Sequence, residues 1–287
     1  MSPFVFFGTD EFAVKVLTTW TELNLKPALI ITTPDRPAGR GLRLTPPPVK
    51  LWAEQDSIEV RQLHNLRSDL GTSLRSDLGN YPVFIVASYG KLIPAEVLAL
   101  PQYGTLNIHP SLLPQYRGPS PIQTAILNGD TETGVSILLL DEQMDHGPIV
   151  QAKNYQLKAK SFREARDDLA ELGAKLIAEI LPDYLAGKIQ PTDQNQALAS
   201  FTKKIKKEDG EIKLTDPADL NYRKFLAYQP WPGTYFFNPI LRSDFKRVSR
   251  SDLGTRIKIT EATLENGQFV IKKIIPEGGK ETDYKNQ

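Results

Sequence analysis

Cysteine is absent from this 287-residue chain, which excludes disulfides, thiolate catalysis and every cysteine-ligated zinc site. Histidine is scarce: His64, His109 and His146 are the three present. No two stand at the His-x-x-x-His spacing that puts a ligand pair on one helix face, so no metal site is expected. No apolar run approaches the roughly 18 residues of a membrane-spanning helix, and no signal-peptide pattern opens the chain. The expectation is a cytoplasmic protein without membrane contact. A dinucleotide fingerprint is missing as well. Gly8-Thr9 follows the first apolar run, but no G-x-G-x-x-G pattern does, and without it a nucleotide cofactor has no support.

Net charge is small, +1 from 35 Lys and Arg against 34 Asp and Glu, but the two ends of the chain differ. Residues 201–287 hold 17 basic against 12 acidic side chains, whereas residues 1–200 hold 18 against 22. Long-range attraction for phosphate therefore lies with the C-terminal part. The plain alternative is that this excess only keeps a small domain soluble.

What the chain does have is alternation of strand-like and helix-like segments. Short apolar runs at 4–7, 28–32, 58–61, 83–87 and 105–108 read as strands, and segments at 10–23, 49–55, 95–98 and 121–128 as helices. Such alternation predicts an α/β fold with a doubly wound, mostly parallel, Rossmann-like sheet, whose ligand crevice lies beyond the carboxyl ends of its strands. Gly8, residues 88–91 and residues 107–109 would sit there. The Ala-, Leu-, Glu- and Lys-rich segment 162–185 reads as a long helix across the sheet. Domain boundaries are expected at 1–187 for the first domain, 188–206 for a linker and 207–287 for the second. The last part reads as a short helix at 219–228 and strands at 234–237, 256–259, 262–264 and 269–275, as in a small β-barrel.

The densest chemistry is at Asn107-Ile108-His109. If 105–109 ends a strand, its alternation points Asn107 and His109 to one face. An Asn carboxamide can donate to an oxygen that becomes negative at a carbonyl carbon, and a nearby His can donate a second hydrogen bond or handle a proton. A strand-like segment at 134–140 leads into the carboxylate-rich turn Asp141-Glu142-Gln143-Met144-Asp145-His146-Gly147. A carboxylate such as Asp145 can orient His109 and stabilise its charged form. Each residue alone reads more readily as a turn former or a satisfied core group; together they point to transfer chemistry at a carbonyl.

The run Asn107-Ile108-His109-Pro110-Ser111-Leu112-Leu113-Pro114-Gln115-Tyr116-Arg117-Gly118, with Met144-Asp145 downstream, resembles the signature of the formyltransferases that use 10-formyltetrahydrofolate. Three further segments are similar to the methionyl-tRNA formyltransferase branch of that family. These are Phe6-Phe7-Gly8-Thr9-Asp10-Glu11-Phe12-Ala13; Thr33-Pro34-Asp35-Arg36-Pro37-Ala38-Gly39-Arg40-Gly41 through Pro47-Pro48-Val49-Lys50; and, near the end, Lys207-Glu208-Asp209-Gly210 with Pro230-Trp231-Pro232-Gly233. The resemblance implies a formyltransferase fold followed by a small oligonucleotide-binding-type (OB-like) β-barrel that binds tRNA, with no metal and a monomeric state. It implies formyl transfer from 10-formyltetrahydrofolate to the α-amine of methionine on initiator methionyl-tRNA, for translation initiation. In that reading Asn107, His109 and Asp145 are catalytic. Folate is held by Ser88, Tyr89, Gly90, Ser111, Leu112, Leu113 and Pro114, and the cationic loop 34–48 brings Arg36, Arg40 and Arg43 to the acceptor stem.

Some features depart from the family pattern or stay open. His146 and Pro148 replace residues more usual in the Asp145 turn. Arg117-Gly118 reads either as part of the site or as a structural ion-pair position. The pentamer Arg-Ser-Asp-Leu-Gly recurs at 67–71, 75–79 and 250–254, with a partial copy at 242–245, and reads as polar loop insertions. Two rival functions are a folate formyltransferase acting on a small amine, such as a purine precursor or an amino sugar, and a non-catalytic RNA-binding relative. The arginine loop and the basic C-terminal part argue against the first, and the intact Asn107, His109 and Asp145 against the second.

Overall fold

The computed structural model describes residues 2–38, 41–238 and 254–284. The chain divides into two compact units: Met1–Gly118, Glu132–Gln156 and Arg166–Phe201 form the first, and Pro119–Thr131, Leu157–Ala165 and Thr202–Gln287 the second.

In the first unit seven strands form one sheet: β1 (Val5–Gly8), β2 (Leu29–Thr32), β5 (Val60–Gln62), β6 (Phe84–Ala87), β7 (Thr105–His109), β8 (Glu132–Leu139) and β9 (Ile149–Gln156). Their order is β5-β2-β1-β6-β7-β8-β9. The first five neighbours pair in parallel, and β8 and β9 add an antiparallel edge. The expected mostly parallel sheet is therefore present, with β9 as an extra strand that its mixed sequence, Ile-Val-Gln-Ala-Lys-Asn-Tyr-Gln, did not announce.

Every residue of β1 is buried, as expected of a parallel strand covered on both faces. Alternation sends Phe6, with the preceding Phe4, to one side and Val5 and Phe7 to the other. On the first side both rings meet Trp20 edge-on at 5.4 Å. Trp20 belongs to α1 (Glu11–Glu22), and its indole N–H donates to the Ala174 carbonyl of α6 (Phe162–Leu185) at 2.9 Å. Helix α6 crosses close above the sheet because Gly173 lacks a Cβ, which would run into Ile108.

On the opposite side Val5, Phe7, Phe84 and Val86 pack against Leu66, Leu70, Leu78, Val97 and Leu98. The last two lie in α4 (Ala95–Leu98), and Leu78 in α3 (Thr72–Gly79); α2 (Pro48–Gln55) follows the arginine segment. This corrects the reading of the pentamer copy at 75–79 as a loop insertion. The copy at 67–71 is a turn, the copy at 75–79 is the second half of α3, and Leu70 and Leu78 are 4% and 0% exposed. The missed signal is the four-residue spacing of Leu74 and Leu78, which puts both on one face of α3; Leu66 and Leu70 lie in the preceding turn. The partial copy at 242–245, and all of the copy at 250–254 except Gly254, lie outside the described residues.

The segment expected as an irregular cationic loop contains a short hairpin, β3 (Arg36–Ala38) against β4 (Arg43–Thr45). Arg36 stands opposite Thr45 and Pro37 opposite Leu44. By alternation Arg36 and Arg43 share one face, and Pro37 and Leu44 the other. Arg40 lies outside the described residues.

In the second unit α5 (Pro121–Asn128) and α7 (Ala218–Ala227) pack together, and the Arg223 guanidinium donates to the Asn128 carbonyl at 3.1 Å. Four antiparallel strands form its sheet in the order β10 (Thr234–Asn238), β11 (Thr255–Glu265), β12 (Gln268–Pro276), β13 (Thr282–Asp283). This is the small barrel-like β domain expected. The two strands read at 256–259 and 262–264 are one, interrupted by a register shift around Glu261. Its core comprises Ile212, Phe236, Ile257, Ile259, Ala262, Ile271 and Ile274. The turn Lys207–Gly210 approaches the Gly233 carbonyl so closely that a Cβ at Gly210 could not fit, which brings the two C-terminal motifs together.

Candidate active site

Strand β7 presents Asn107 and His109 on one face, as their alternation requires. His109 pairs with Ser136 and Asn107 with Leu138 of β8. The turn after β8 folds back so that the Asp145 carboxylate lies beside the imidazole, Oδ1 to Nδ1 3.6 Å. The two sequence-derived halves of the constellation, 36 positions apart, are thus in one place. Both side chains are largely shielded, at 5% and 13% exposure.

The hydrogen bonds fix more than proximity. His109 Nε2 stands 3.0 Å from the Tyr116 carbonyl oxygen. A carbonyl only accepts, so Nε2 carries a proton and donates. In the neutral ring Nδ1 is then a lone pair aimed toward Asp145. At 3.6 Å the two are beyond a hydrogen bond, but the attraction between a protonated ring and the carboxylate is strong at that range. Asp145 Oδ2 meanwhile accepts from the Gly118 backbone N–H at 2.8 Å. Asp145 holds φ +50°, the left-handed region disfavoured for any side-chain-bearing residue. Such backbone persists where surrounding contacts over-determine it. His146, the departure from the family pattern, faces away onto Asp141 with Nδ1 to Oδ2 2.7 Å.

Sequence reasoning missed the residues that hold these turns. Gln194, from the segment read as a linker, is 6% exposed. Its Nε2 donates to the carbonyls of Asp145 at 2.9 Å and Gly147 at 2.7 Å, and its Oε1 accepts from Arg117 Nε at 3.1 Å and Nη2 at 2.6 Å. Arg117 is therefore a buried structural group bonded to an amide. Ser200 Oγ accepts from the Tyr116 N–H at 2.9 Å and the Ser200 carbonyl from the Arg117 N–H at 2.9 Å. Bridges at Ile149–Thr192 and Arg117–Phe201 pin both ends of the same stretch. It packs as a strap over the site because its polar side chains complete backbone groups of two turns.

The expected folate residues divide. Ser88 and Gly90 have φ of +49° and +75° at the end of β6. Ser88 Oγ donates to Asp10 at 2.5 Å, and Thr9 Oγ1 to the Tyr89 carbonyl at 2.7 Å, so this turn is tied to the carboxyl end of β1. The Tyr89 ring is a core residue, 2% exposed and edge-on to Phe7 at 5.5 Å, and burial pushes its phenol up to about 12. The ring of this expected folate residue is thus enclosed in the core. Ser111 is likewise buried, with its hydroxyl donating to the Gln115 carbonyl at 2.6 Å, and Leu113 is 7% exposed. Leu112 and Pro114 are half-buried, so some apolar surface is available there.

Arg36 and Arg43 are exposed on the hairpin. Its base is anchored by Asp35, whose carboxylate accepts from Gln62 Nε2 at 2.6 Å and Lys50 Nζ at 3.0 Å. These contacts, Gln62 first, hold Asp35 below its ordinary value of 3.8. Lys91 Nζ donates to the Leu63 and His64 carbonyls, each at 2.8 Å, and burial with the nearby Arg36 charge lowers its affinity for a proton. Among the described residues no cluster of three or more His, Asp or Glu has metal-binding geometry, and no helix is long and apolar enough to cross a membrane.

The arrangement can stabilise negative charge on the oxygen of a carbonyl under attack and accept a proton beside it. The formyl transferase family matches residues 3–183, and the formyl transferase C-terminal domain family matches residues 204–286. A methionyl-tRNA formyltransferase of Chloroflexus aurantiacus is 44% identical over 234 residues, 81% of this chain and 75% of that protein. Another, of Citrifermentans bemidjiense, is 35% identical over 286 residues, 96% of this chain and 89% of its own. Among solved structures, a methionyl-tRNA formyltransferase from Clostridium thermocellum superposes with a TM-score of 0.60 at 16% identity, covering 96% of this chain and 99% of that one. HypX from Aquifex aeolicus, in complex with tetrahydrofolic acid, gives 0.66 at 17%, covering 98% and 46%. These two likenesses are of fold, whereas the sequence matches span both units at substantial identity. The chain belongs to the formyl transferase family, among the methionyl-tRNA formyltransferases.

Proposed function

We propose that this chain transfers the formyl group of 10-formyltetrahydrofolate to the α-amine of methionine on initiator methionyl-tRNA, with Asn107, His109 and Asp145 as catalytic residues. The observation that carries the reading is the shielded His109–Asp145 pair beside Asn107, whose carboxamide has no hydrogen-bond partner among the described residues. A pre-positioned donor of that kind suits an oxygen whose charge develops only in the transition state.

The amine nitrogen attacks the formyl carbon and forms the new C–N bond. The carbonyl oxygen becomes an oxyanion, which accepts from Asn107. The ammonium proton passes to the His109 Nδ1 side, where the Asp145 carboxylate holds it, and then to N10 as the C–N10 bond breaks. Formylmethionyl-tRNA and tetrahydrofolate leave, and no covalent enzyme intermediate is needed. Apolar surface at Leu112 and Pro114 suits the ring system of folate, and the backbone of Ser88–Gly90 supplies polar groups near the carboxyl ends of β1 and β6. Arg36 and Arg43, sharing a hairpin face, and the basic second unit supply positive charge for RNA phosphates. Cytoplasmic location and a monomeric state belong to the same proposal.

The direct test is a formylation assay with 10-formyltetrahydrofolate and charged initiator tRNA, with elongator tRNA and free methionine as controls. Formylation of charged initiator tRNA alone supports the reading. Formylation of a small amine in its place would move the chain to the amino-sugar or purine-precursor class.

A further inference from the structure

We propose that Gln194 is a positioning residue for formyl transfer, holding the backbone of the Asp145 turn so that the carboxylate faces His109. The inference rests on the assignment of His109 and Asp145 as catalytic residues and extends it to a side chain some fifty positions away in sequence.

The geometry is a closed ring of contacts. Both N–H bonds of the Gln194 carboxamide go to backbone carbonyls on either side of His146, those of Asp145 and Gly147. Its oxygen takes two donors from the Arg117 guanidinium. The residue after Arg117 is Gly118, whose N–H donates to Asp145 Oδ2. One amide thus fixes the main chain of Asp145, and through Arg117 steadies the donor that fixes its carboxylate. The Arg117 and Gly147 contacts are buried and the two to Asp145 partly so, and there a hydrogen bond removed leaves a partner unsatisfied. The turn needs such support because Asp145 sits at φ +50° and would otherwise relax. Glutamine suits the position since it alone among uncharged side chains of this length offers two donors and one double acceptor in a plane. A methionine would fill the space and make none of the four contacts. A glutamate would keep the Arg117 contact and set lone pairs against two carbonyls.

The test uses the full chain with Gln194→Met and Gln194→Glu, each alone and combined with Asp145→Asn. Loss of the turn geometry predicts a fall in kcat on the order of 10²-fold for each single variant, with KM for 10-formyltetrahydrofolate and for charged tRNA within about twofold. In the Asp145→Asn background the same substitutions are expected to change kcat less than about twofold, because the group they position is already disabled. A merely structural residue would give losses that multiply in the double variant, or changes confined to KM, and either result overturns the proposal. So does wild-type turnover in both single variants, or failure of both to fold. A wild-type rate in Asp145→Asn alone is a separate outcome: it removes the catalytic assignment itself.

Discussion

His109 and Asp145 face each other across 3.6 Å while each is tied elsewhere, the imidazole Nε2 to the Tyr116 carbonyl and the carboxylate Oδ2 to the Gly118 N–H. The pair is therefore held apart by its anchors, and the gap lies on the Nδ1 side. A proton arriving at Nδ1 closes a strong attraction without either side chain having to change rotamer. Shielding matters as much as distance, since the same pair in open water would interact by only about 1 kcal/mol.

Gly173 sets the height of α6 above Ile108, the residue between Asn107 and His109. Gly173→Ala is expected to destabilise the protein by about 1–3 kcal/mol through overpacking and to lower kcat by shifting β7. Thermal or urea unfolding checks the first and steady-state formylation the second. Unchanged stability would mean that α6 can lift from the sheet freely.

The leucines of the pentamer copies at 67–71 and 75–79 are core groups, and their arginines are surface groups. Leu78→Ala is expected to cost about 2–5 kcal/mol of stability, as for a fully buried leucine, whereas Arg75→Ala stays within about 0.5 kcal/mol. Urea titration separates the two. Equal, small effects would restore the view of these copies as loop passengers.

Much of this architecture is legible in the sequence. Four consecutive buried residues in β1, the 24 residues of α6 and the Asn-x-His spacing on β7 are local patterns, and each predicts its own face. The helical spacing of Leu74 and Leu78 was equally local but is masked by the repeated polar pentamer around it. Gln194 and Ser200 are of a different kind. Their partners are 47 to 84 positions away, and a polar residue in a Pro- and Asn-bearing segment carries no periodic signal of what it will cap. Tyr89 and Ser111 are motif residues whose side chains are buried, the Ser111 hydroxyl donating to the Gln115 carbonyl, and no local pattern announces that burial.

On the hairpin, Arg36→Ala and Arg43→Ala are each expected to lower kcat/KM for charged initiator tRNA by about 1–3 kcal/mol, with KM for the folate donor unchanged. Parallel titrations of the two substrates test this. Equal damage to both would show that the hairpin serves the catalytic turns rather than RNA.

Asp35 anchors that hairpin, and its depressed proton affinity gives a pH dependence of defined sign. The carboxylate's contribution is fully present above the ordinary value of 3.8 and is lost as pH falls through the lower folded value. Gln62→Leu removes the largest cause, so the carboxyl titration of Asp35, followed by NMR, is expected to move upward. A midpoint that stays put would mean that the Gln62 contact does not stabilise the charged form.

The most direct measurement of the central claim is the single-turnover rate of formyl transfer to charged initiator tRNA in Asp145→Asn. Asparagine keeps an acceptor for the Gly118 N–H and removes the charge opposite His109. The account predicts a fall on the order of 10²–10⁴ in rate, at unchanged melting temperature and with KM for both substrates within about twofold. Transfer at the wild-type rate would contradict it.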